Sequence, residues 1–375
     1  METKEAAPLA IIENYDPFAR FLRQTLSLSP LSFALWIFIL DLIVDAWMGY
    51  YYNLWLSPKD SIFPGILQDF TTIVVDFGSV PIIAGLYLWS TEGGTDLFRQ
   101  LGASGVFPET TVITNEVNKS RPFFTSKFVF ILITTLSILY ATSQLAAYQN
   151  WVPWKFAGGY INLEPVAAYY RTPFWLLNFY TFLFAIYNIV ITVITLRKLF
   201  RTKGLQILPL HPDKCGGVIS ISQYTVKIAY GIASAGLVIS GATVFALQTS
   251  TLGESYPIIL GIVAYFILAP LLFFWPLGTA HTAMREAKDA QLLQLARRFD
   301  TTYARLNSEE KKDVDFEKDI KKLENIKKLY GIALEFPVWP FDISNLRRFF
   351  AVITAPLVPA LISIGIDILK DFILK

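Results

Sequence analysis

The sequence predicts an all-α membrane protein, a bundle of six or seven transmembrane helices with a cytoplasmic helical hairpin. The chain of 375 residues is 54% hydrophobic and only 17% charged, which is typical of membrane proteins. Six apolar runs are long enough to cross a hydrocarbon core of about 30 Å. A charged segment near the C-terminus keeps its apolar residues at the three-to-four spacing of an amphipathic helix.

The first 30 residues precede the first apolar run. They begin with acidic residues among the basic ones and lack a short apolar core that leads to a cleavage site, so we expect no cleaved signal peptide. Asp16 and Pro17 suit a helix cap and a first helical position. Apolar residues follow at helical spacing, and the segment 1–30 is therefore predicted to lie along the membrane interface.

The predicted transmembrane bundle covers residues 31–279. Its six spans are 31–56, 66–90, 128–148, 173–196, 228–252 and 255–279. Of the 32 Lys and Arg residues, 27 fall in the loops and ends on one side of these spans and three on the other. The positive-inside rule then places the N-terminus in the cytoplasm. We expect a multi-pass protein in the lipid bilayer of a cell inner membrane.

Two further units are predicted after the bundle. Residues 280–335 are expected to form the cytoplasmic helical hairpin, with a first arm that extends the sixth span. Its apolar positions are Leu292, Leu295, Phe299, Tyr303 and Leu306 in the first arm and Phe316, Ile320, Leu323 and Ile326 in the second. These stripes either pack against each other or mediate self-association. Residues 336–375 contain a proline-interrupted apolar run, 349–366, which is either a kinked seventh span or a re-entrant hairpin.

Four aspartates lie within the predicted spans. Asp41 and Asp45 are one turn apart in the first span, and Asp69 and Asp76 are seven residues apart in the second, so each pair shares a helical face. A short loop makes these two spans antiparallel neighbours. Asp41, Asp45 and Asp76 are then predicted to meet near the middle of the membrane, with Asp69 nearer the outer surface. No Lys or Arg is expected inside the first six spans to neutralise them.

Such carboxylates have to be protonated, hydrated or bound to a cation, because a lone charge at mid-membrane costs at least about 2.5 kcal/mol. Acids of this kind supply oxygen ligands to cations or relay protons. We therefore predict a cation or proton channel or transporter. The alternative is that the aspartates only hold the helices together. The protein would then be a membrane-anchored scaffold or signalling component whose hairpin binds a cytoplasmic protein or forms a homo-oligomer.

A second candidate site is the loop LPLHPDKCGG, residues 208–217. His211, Asp213 and Cys215 alternate there and could present ligands to a metal. The prolines and the glycine pair favour a turn capped by Asp213 instead. A membrane enzyme that uses these three residues is a third hypothesis.

Other function classes find no support in the sequence. The phosphate-binding glycine loop, the nucleophile elbow, the His-Glu-x-x-His motif and the dinucleotide fingerprint are all missing. We therefore expect neither an enzyme nor a cofactor. A net charge of only +2 argues against a nucleic-acid partner. With a single cysteine, Cys215, neither an intramolecular disulfide nor a Cys-rich zinc site can form.

Two motifs carry a resemblance to a known group of proteins. They are PLHPDKCGG, which fits a Pro-x-His-Pro-Asp-x-x-Gly-Gly loop, and FPVWPFD at residues 336–342, followed by the proline-interrupted C-terminus. The chain thereby resembles a family of bacterial polytopic membrane proteins without an assigned activity. It departs from that family in having Val218 where a leucine is expected and Trp339 within the proline motif. The resemblance implies a bacterial membrane protein and no particular chemistry.

Overall fold

The fold is a bundle of helices. The computed structural model describes residues 16–59, 61, 63–107, 109–149, 159–202, 211–213, 215–248, 256–306, 313–341 and 343–373. Across these ranges the chain forms helices and turns without any β-strand, so the all-α prediction is confirmed. Seven helical segments are long and apolar enough to cross a membrane: Pro30–Tyr51, Phe70–Ala103, Lys127–Tyr148, Ala167–Phe200, Ile219–Leu247, Leu260–Leu306 and Ile343–Ile366.

The described part of the N-terminal segment is attached to the bundle by a buried carboxylate. Helix α1 (Pro17–Arg20) continues into a π-helical turn (Phe21–Thr25). Asp16 caps α1 and also accepts hydrogen bonds from the hydroxyl groups of Tyr87 at 2.6 Å and Tyr180 at 2.8 Å. The segment is thus joined to the second and fourth spans, a contact that the interfacial prediction did not include. Residues 1–15 of the predicted unit lie outside the described residues.

The first two spans differ in regularity. Helix α2 (Pro30–Tyr51) is continuous and begins at a serine cap followed by proline. The second span consists of α3 (Phe70–Val74), a π-helical turn (Val75–Ser79) and α4 (Val80–Ala103). Short π-helical turns inside α-helices frequently occur at functional sites. This one contains Asp76 and faces α2.

The centre of the bundle is formed by two long helices. The next five helices are α5 (Thr110–Phe124), α6 (Lys127–Tyr148), α7 (Gly159–Leu163), α8 (Ala167–Phe200) and α9 (Ile219–Gln248). α8 packs against α4, α5 and α6, and α9 packs against α3 and α4. α4 continues past the predicted end of the second span, and α9 begins before the predicted start of the fifth. The polar residues of these extensions are buried in the bundle. Thr91 and Thr225, for example, donate to carbonyl groups of their own helices.

The sixth span continues far beyond any membrane. Helix α10 (Tyr256–Leu306) has 51 residues, which corresponds to about 75 Å, more than twice the thickness of a hydrocarbon core. Its distal half pairs with α11 (Asp313–Glu335), with Leu295 and Ile326 buried between the two arms. Lys288 donates to the carbonyl groups at the end of α11, including that of Leu334 at 2.7 Å. Residues 307–312, between the arms, lie outside the described residues.

The C-terminal apolar run forms a kinked helix. It comprises α12 (Ile343–Thr354), a 3₁₀ turn (Ala355–Leu357) and α13 (Val358–Ile373). The turn coincides with Pro356, which cannot continue the helical hydrogen bonds. Both helices and the turn between them pack against α9. The kinked helix is long and apolar enough to cross a membrane, and the choice between a kinked span and a re-entrant hairpin stays a prediction.

Candidate functional site

Three of the four predicted aspartates converge on one arginine. Arg171 donates from Nη1 to Asp41 Oδ1 at 2.6 Å and from Nη2 to Asp45 Oδ1 at 2.7 Å, and Nη2 also binds Asp76 Oδ2. Its Nε donates to the Tyr160 hydroxyl at 2.6 Å, and that hydroxyl donates to Asp45 Oδ1 at 3.0 Å. We call these five residues the Arg171 cluster. They connect α2, the π-helical turn, α7 and α8.

The position of Arg171 corrects the sequence analysis. The fourth span was expected to begin at residue 173, with Arg171 in the outer loop and no basic residue inside a span. In the structure α8 begins at Ala167 and contains Pro173 in its interior, so Arg171 lies in its second turn. Only the apolar run was counted as the span, so the first six residues of α8 were assigned to the outer loop. The expectation that no cation neutralises the aspartates was therefore wrong.

The cluster is almost completely buried. Arg171 is 2% exposed, and Asp41 and Asp45 are 1% exposed each; the side chain of Asp76 is 21% exposed. Removing charges from water costs several kcal/mol per ion even in a relaxed protein, so buried charges occur with partners. The three ion pairs supply those partners for Arg171. Asp76 is therefore the residue through which solvent or a ligand can reach the cluster.

The charges of the cluster do not balance. One guanidinium faces three carboxyl groups, so full ionisation would leave a surplus of two negative charges. Among the described residues, Asp41 Oδ2 and Asp45 Oδ2 have no hydrogen-bond partner although both are buried. Buried polar atoms normally have one. These oxygens therefore provide acceptor positions for a proton, a water molecule or a cation.

A cavity of about 420 Å³ adjoins the cluster. Asp41, Asp76, Tyr160 and Arg171 form part of its wall. Its other aromatic residues are Tyr140, Tyr148, Phe174, Trp175, Phe179 and Phe182, and its polar ones include Ser79, Gln144, Asn178 and Ser234. The volume falls within the range of about 300 to 1,000 Å³ that is common for small-molecule sites. The cluster is thus part of a chamber that can hold a ligand.

Asp69 lies at the start of the second span. It caps α3, with Oδ1 accepting from the Thr71 backbone N–H at 3.0 Å and Oδ2 from the Thr72 hydroxyl at 2.6 Å. That Asp69 shares a helical face with Asp76 stays a prediction. Asp69 is buried and supports the start of the second span.

The polar loop forms a turn around Asp213. This carboxylate accepts from the backbone N–H groups of Cys215 at 2.9 Å, Gly217 at 3.0 Å and Ile219 at 3.3 Å, and His211 Nδ1 lies 2.7 Å from its Oδ1. Partial burial acts to raise the pKa of Asp213, but the hydrogen bonds from the backbone and from His211 outweigh it and hold that pKa below its usual value.

The glycine pair and the cysteine of the loop fit the same interpretation. Gly216 and Gly217 have φ values of 70° and 92°, which glycine adopts without steric cost. Cys215 is buried beside them. Within the described ranges, no group of three His, Cys, Asp or Glu residues is arranged to hold a metal ion. The predicted metal alternative for His211, Asp213 and Cys215 therefore has no structural support. Residues 208–210 and 214 lie outside the described ranges.

Comparisons with known proteins give no family. No protein-family model matches the chain, and searches of curated proteins and of solved structures find no significant match. The family resemblance of the two loop motifs thus stays a prediction.

Removal of Arg171 is expected to destabilise the protein strongly. Arg171→Met should lower the free energy of unfolding by about 3 to 5 kcal/mol, because it leaves buried carboxylates without their cation. Thermal unfolding of the detergent-solubilised protein measures the loss. Arg99→Met is the matched control, since Arg99 is exposed and pairs only with Asp96. An equal unfolding temperature for Arg171→Met and the wild type would contradict this interpretation of the cluster.

Asp213 is expected to stabilise the start of α9. Asp213→Ala should cost about 1 to 2 kcal/mol, as the loss of a helix cap does, and thermal unfolding at neutral pH measures it. Because the folded state lowers the pKa of Asp213, the stabilisation is fully present above the ordinary aspartate pKa and is lost as the pH falls through the lower, folded-state value. Exposed Asp289 provides the control variant Asp289→Ala. Equal losses in both variants would argue against the capping role.

Proposed function

We propose that this multi-pass membrane protein transports a cation or protons through the Arg171 cluster. The observation that carries the proposal is the sharing of one guanidinium by three carboxyl groups, two of them fully buried, beside a cavity. Ionisable residues inside membrane spans commonly belong to ion pathways and proton relays. The distribution of Lys and Arg favours a cytoplasmic N-terminus, and a cell inner membrane is the proposed location.

The surplus of carboxyl groups supplies the chemical basis of transport. A proton or cation that reaches Asp76 from the cavity compensates one negative charge and thereby weakens its pairing with Arg171. Arg171 still has Asp41 and Asp45 as partners, so it can change partners without becoming unpaired. Arrival and departure of the transported charge would in this way alter the contact between α8 and the second span.

The local backbone suits such a change. Asp76 lies in the π-helical turn Val75–Ser79, where the helical hydrogen-bond pattern is already interrupted, so a shift in register disrupts fewer regular bonds.

The carboxylates are held by ion pairs rather than lining an open pore. This favours a transporter, which alternates between two arrangements, over a continuously open channel.

A scaffold role for the hairpin of α10 and α11 is the second candidate. Of its predicted apolar stripes, Leu295 and Ile326 are buried between the arms, whereas Tyr303 and Ile320 are exposed. Leu293 on the first arm is exposed as well. Apolar side chains left uncovered on a helical pair can bind a partner protein or a second copy of the chain. This hypothesis needs no transport by the bundle.

Ion flux into liposomes tests the first proposal. The purified protein is compared with the double variant Asp41→Asn, Asp45→Asn under imposed proton, sodium and potassium gradients. The variant keeps one carboxylate, Asp76, for Arg171, so its cluster is close to neutral and folding should be retained. We expect flux of one ion in the wild type and at least a tenfold reduction in the variant, because Arg171 then has no second carboxylate to pair with when the charge of Asp76 is compensated.

The control is the double variant Asp96→Asn, Asp289→Asn, which removes two exposed aspartates outside the cluster. It should conduct like the wild type. Elution as a single peak in size-exclusion chromatography checks that each variant is folded. Absence of flux in a folded wild type, or equal flux in both double variants, would overturn the proposal and favour the scaffold candidate.

A further inference from the structure

We propose that the cavity beside the Arg171 cluster binds a small organic amine that carries a positive charge and an apolar body. This inference rests on the proposed function in that it names the class of cation that the site takes. It is carried by the charge of the cavity wall, by its unpartnered acceptor atoms and by its aromatic lining.

The charge of the wall selects a cation. Asp41 and Asp76 both line the cavity, and Arg171 is the one basic residue among the described residues of its wall. Arg171 donates four hydrogen bonds to Asp41, Asp45, Asp76 and Tyr160. Four of its five N–H groups are thus used within the cluster, which leaves at most one for an anion. An anionic ligand would meet carboxylates without a compensating partner, whereas a cation offsets their surplus charge.

The acceptor atoms select a cation that has N–H groups. Asp41 Oδ2, Asn178 Oδ1 and Ser79 Oγ are buried atoms of cavity-lining residues, and none of them has a hydrogen-bond partner among the described residues. Asp41 and Ser79 are almost fully buried. Leaving such atoms unpaired costs about 1 to 3 kcal/mol each. An ammonium group can donate to the carboxylate of Asp76, whose side chain is 21% exposed at the cavity, and to the buried acceptors where the wall adjusts around it; a quaternary nitrogen can do neither.

The aromatic lining selects an organic body. α8 contributes Phe174, Trp175, Phe179 and Phe182 to the cavity. The ring of Phe174 already lies 5.5 Å from the guanidinium carbon of Arg171, which shows that these faces accept a positive charge. Tyr140 stacks on Phe179 with ring centroids 4.3 Å apart, giving the wall a flat apolar surface against which a ring or a short alkyl chain can pack.

The size and the ligand set argue against a bare inorganic ion. A dehydrated metal ion needs several oxygen atoms within about 2.6 Å. The described residues contain no group of three acidic, histidine or cysteine ligands so arranged. A cavity of about 420 Å³ is also large for one ion but suits a small organic molecule. The geometry therefore favours an amine over sodium or potassium.

Direct binding to the full-length protein in nanodiscs tests the inference. The probe is 2-phenylethylamine, measured by isothermal titration calorimetry at neutral pH. The comparison compounds are 2-phenylethanol, which lacks the charge, methylamine, which lacks the apolar body, and trimethyl(2-phenylethyl)ammonium, which lacks N–H donors. We expect saturable binding of the amine and at least tenfold weaker binding of each comparison compound.

Two variants place the binding in the cavity. Asp41→Asn removes the carboxylate and should weaken amine binding at least tenfold. Phe182→Leu leaves the ion pairs intact and should weaken the amine severalfold while the variant remains as stable as the wild type. The matched controls are Asp96→Asn and Phe128→Leu, which alter an exposed aspartate and an exposed phenylalanine outside the cavity. Both controls should bind like the wild type.

Several results would overturn the inference. These are no amine binding by the folded wild type, equal binding of 2-phenylethanol or of the quaternary compound, or unchanged binding in both cavity variants. Titration in nanodiscs requires no ion gradient, so its result is independent of flux. Amine binding without flux of protons, sodium, potassium or the amine itself would contradict transport and leave this inference standing, whereas proton flux without amine binding would do the reverse.

Discussion

The buried ion pairs of Arg171 are the interaction on which the rest of the structure depends. Through them one side chain of α8 holds two aspartates of α2 and one of the π-helical turn, while its bond to Tyr160 brings α7 against the same point. Ion pairs of this kind add little net stability compared with apolar packing. They favour this packing of the helices over alternatives, because any other arrangement would leave a charge unpaired inside the bundle.

The same constraint connects structure with function. Arg171 has more carboxyl partners than it can neutralise, and in the proposed function the surplus is offset by a proton or a cation that reaches Asp76 from the cavity. In the further proposal, the aromatic walls and the acceptor atoms determine which charged species fits. The hairpin of α10 and α11 lies in a different part of the chain, and its exposed apolar residues are not explained by this chemistry.

Local sequence patterns predicted the helices and the proximity of three aspartates. The apolar runs, the short loop between the first two spans and the spacing of Asp41 and Asp45 were sufficient to bring these residues close to Asp76. Arg171 was missed because the fourth span was predicted to begin at residue 173, whereas α8 begins at Ala167. An arginine two positions before a proline and close to an apolar run was the available signal.

Long-range contacts could not be predicted in the same way. The bond between Asp16 and Tyr180 joins residues 164 positions apart, and nothing in the spacing of a single sequence relates them. The π-helical turn at Val75–Ser79 was equally hidden, because it depends on how the second span packs against α2 and α9. Such features arise from tertiary packing, which overrides local preference.

The central claim is that the cluster holds an exchangeable proton or cation. The most direct measurement is the infrared carboxyl-stretch spectrum of the purified protein, recorded while the pH or the cation concentration is raised, for the wild type and for Asp45→Asn. The account predicts a band from protonated carboxyl groups that disappears during the titration and is reduced in the variant. A spectrum without such a change in the wild type, or with the same change in the variant, would contradict it.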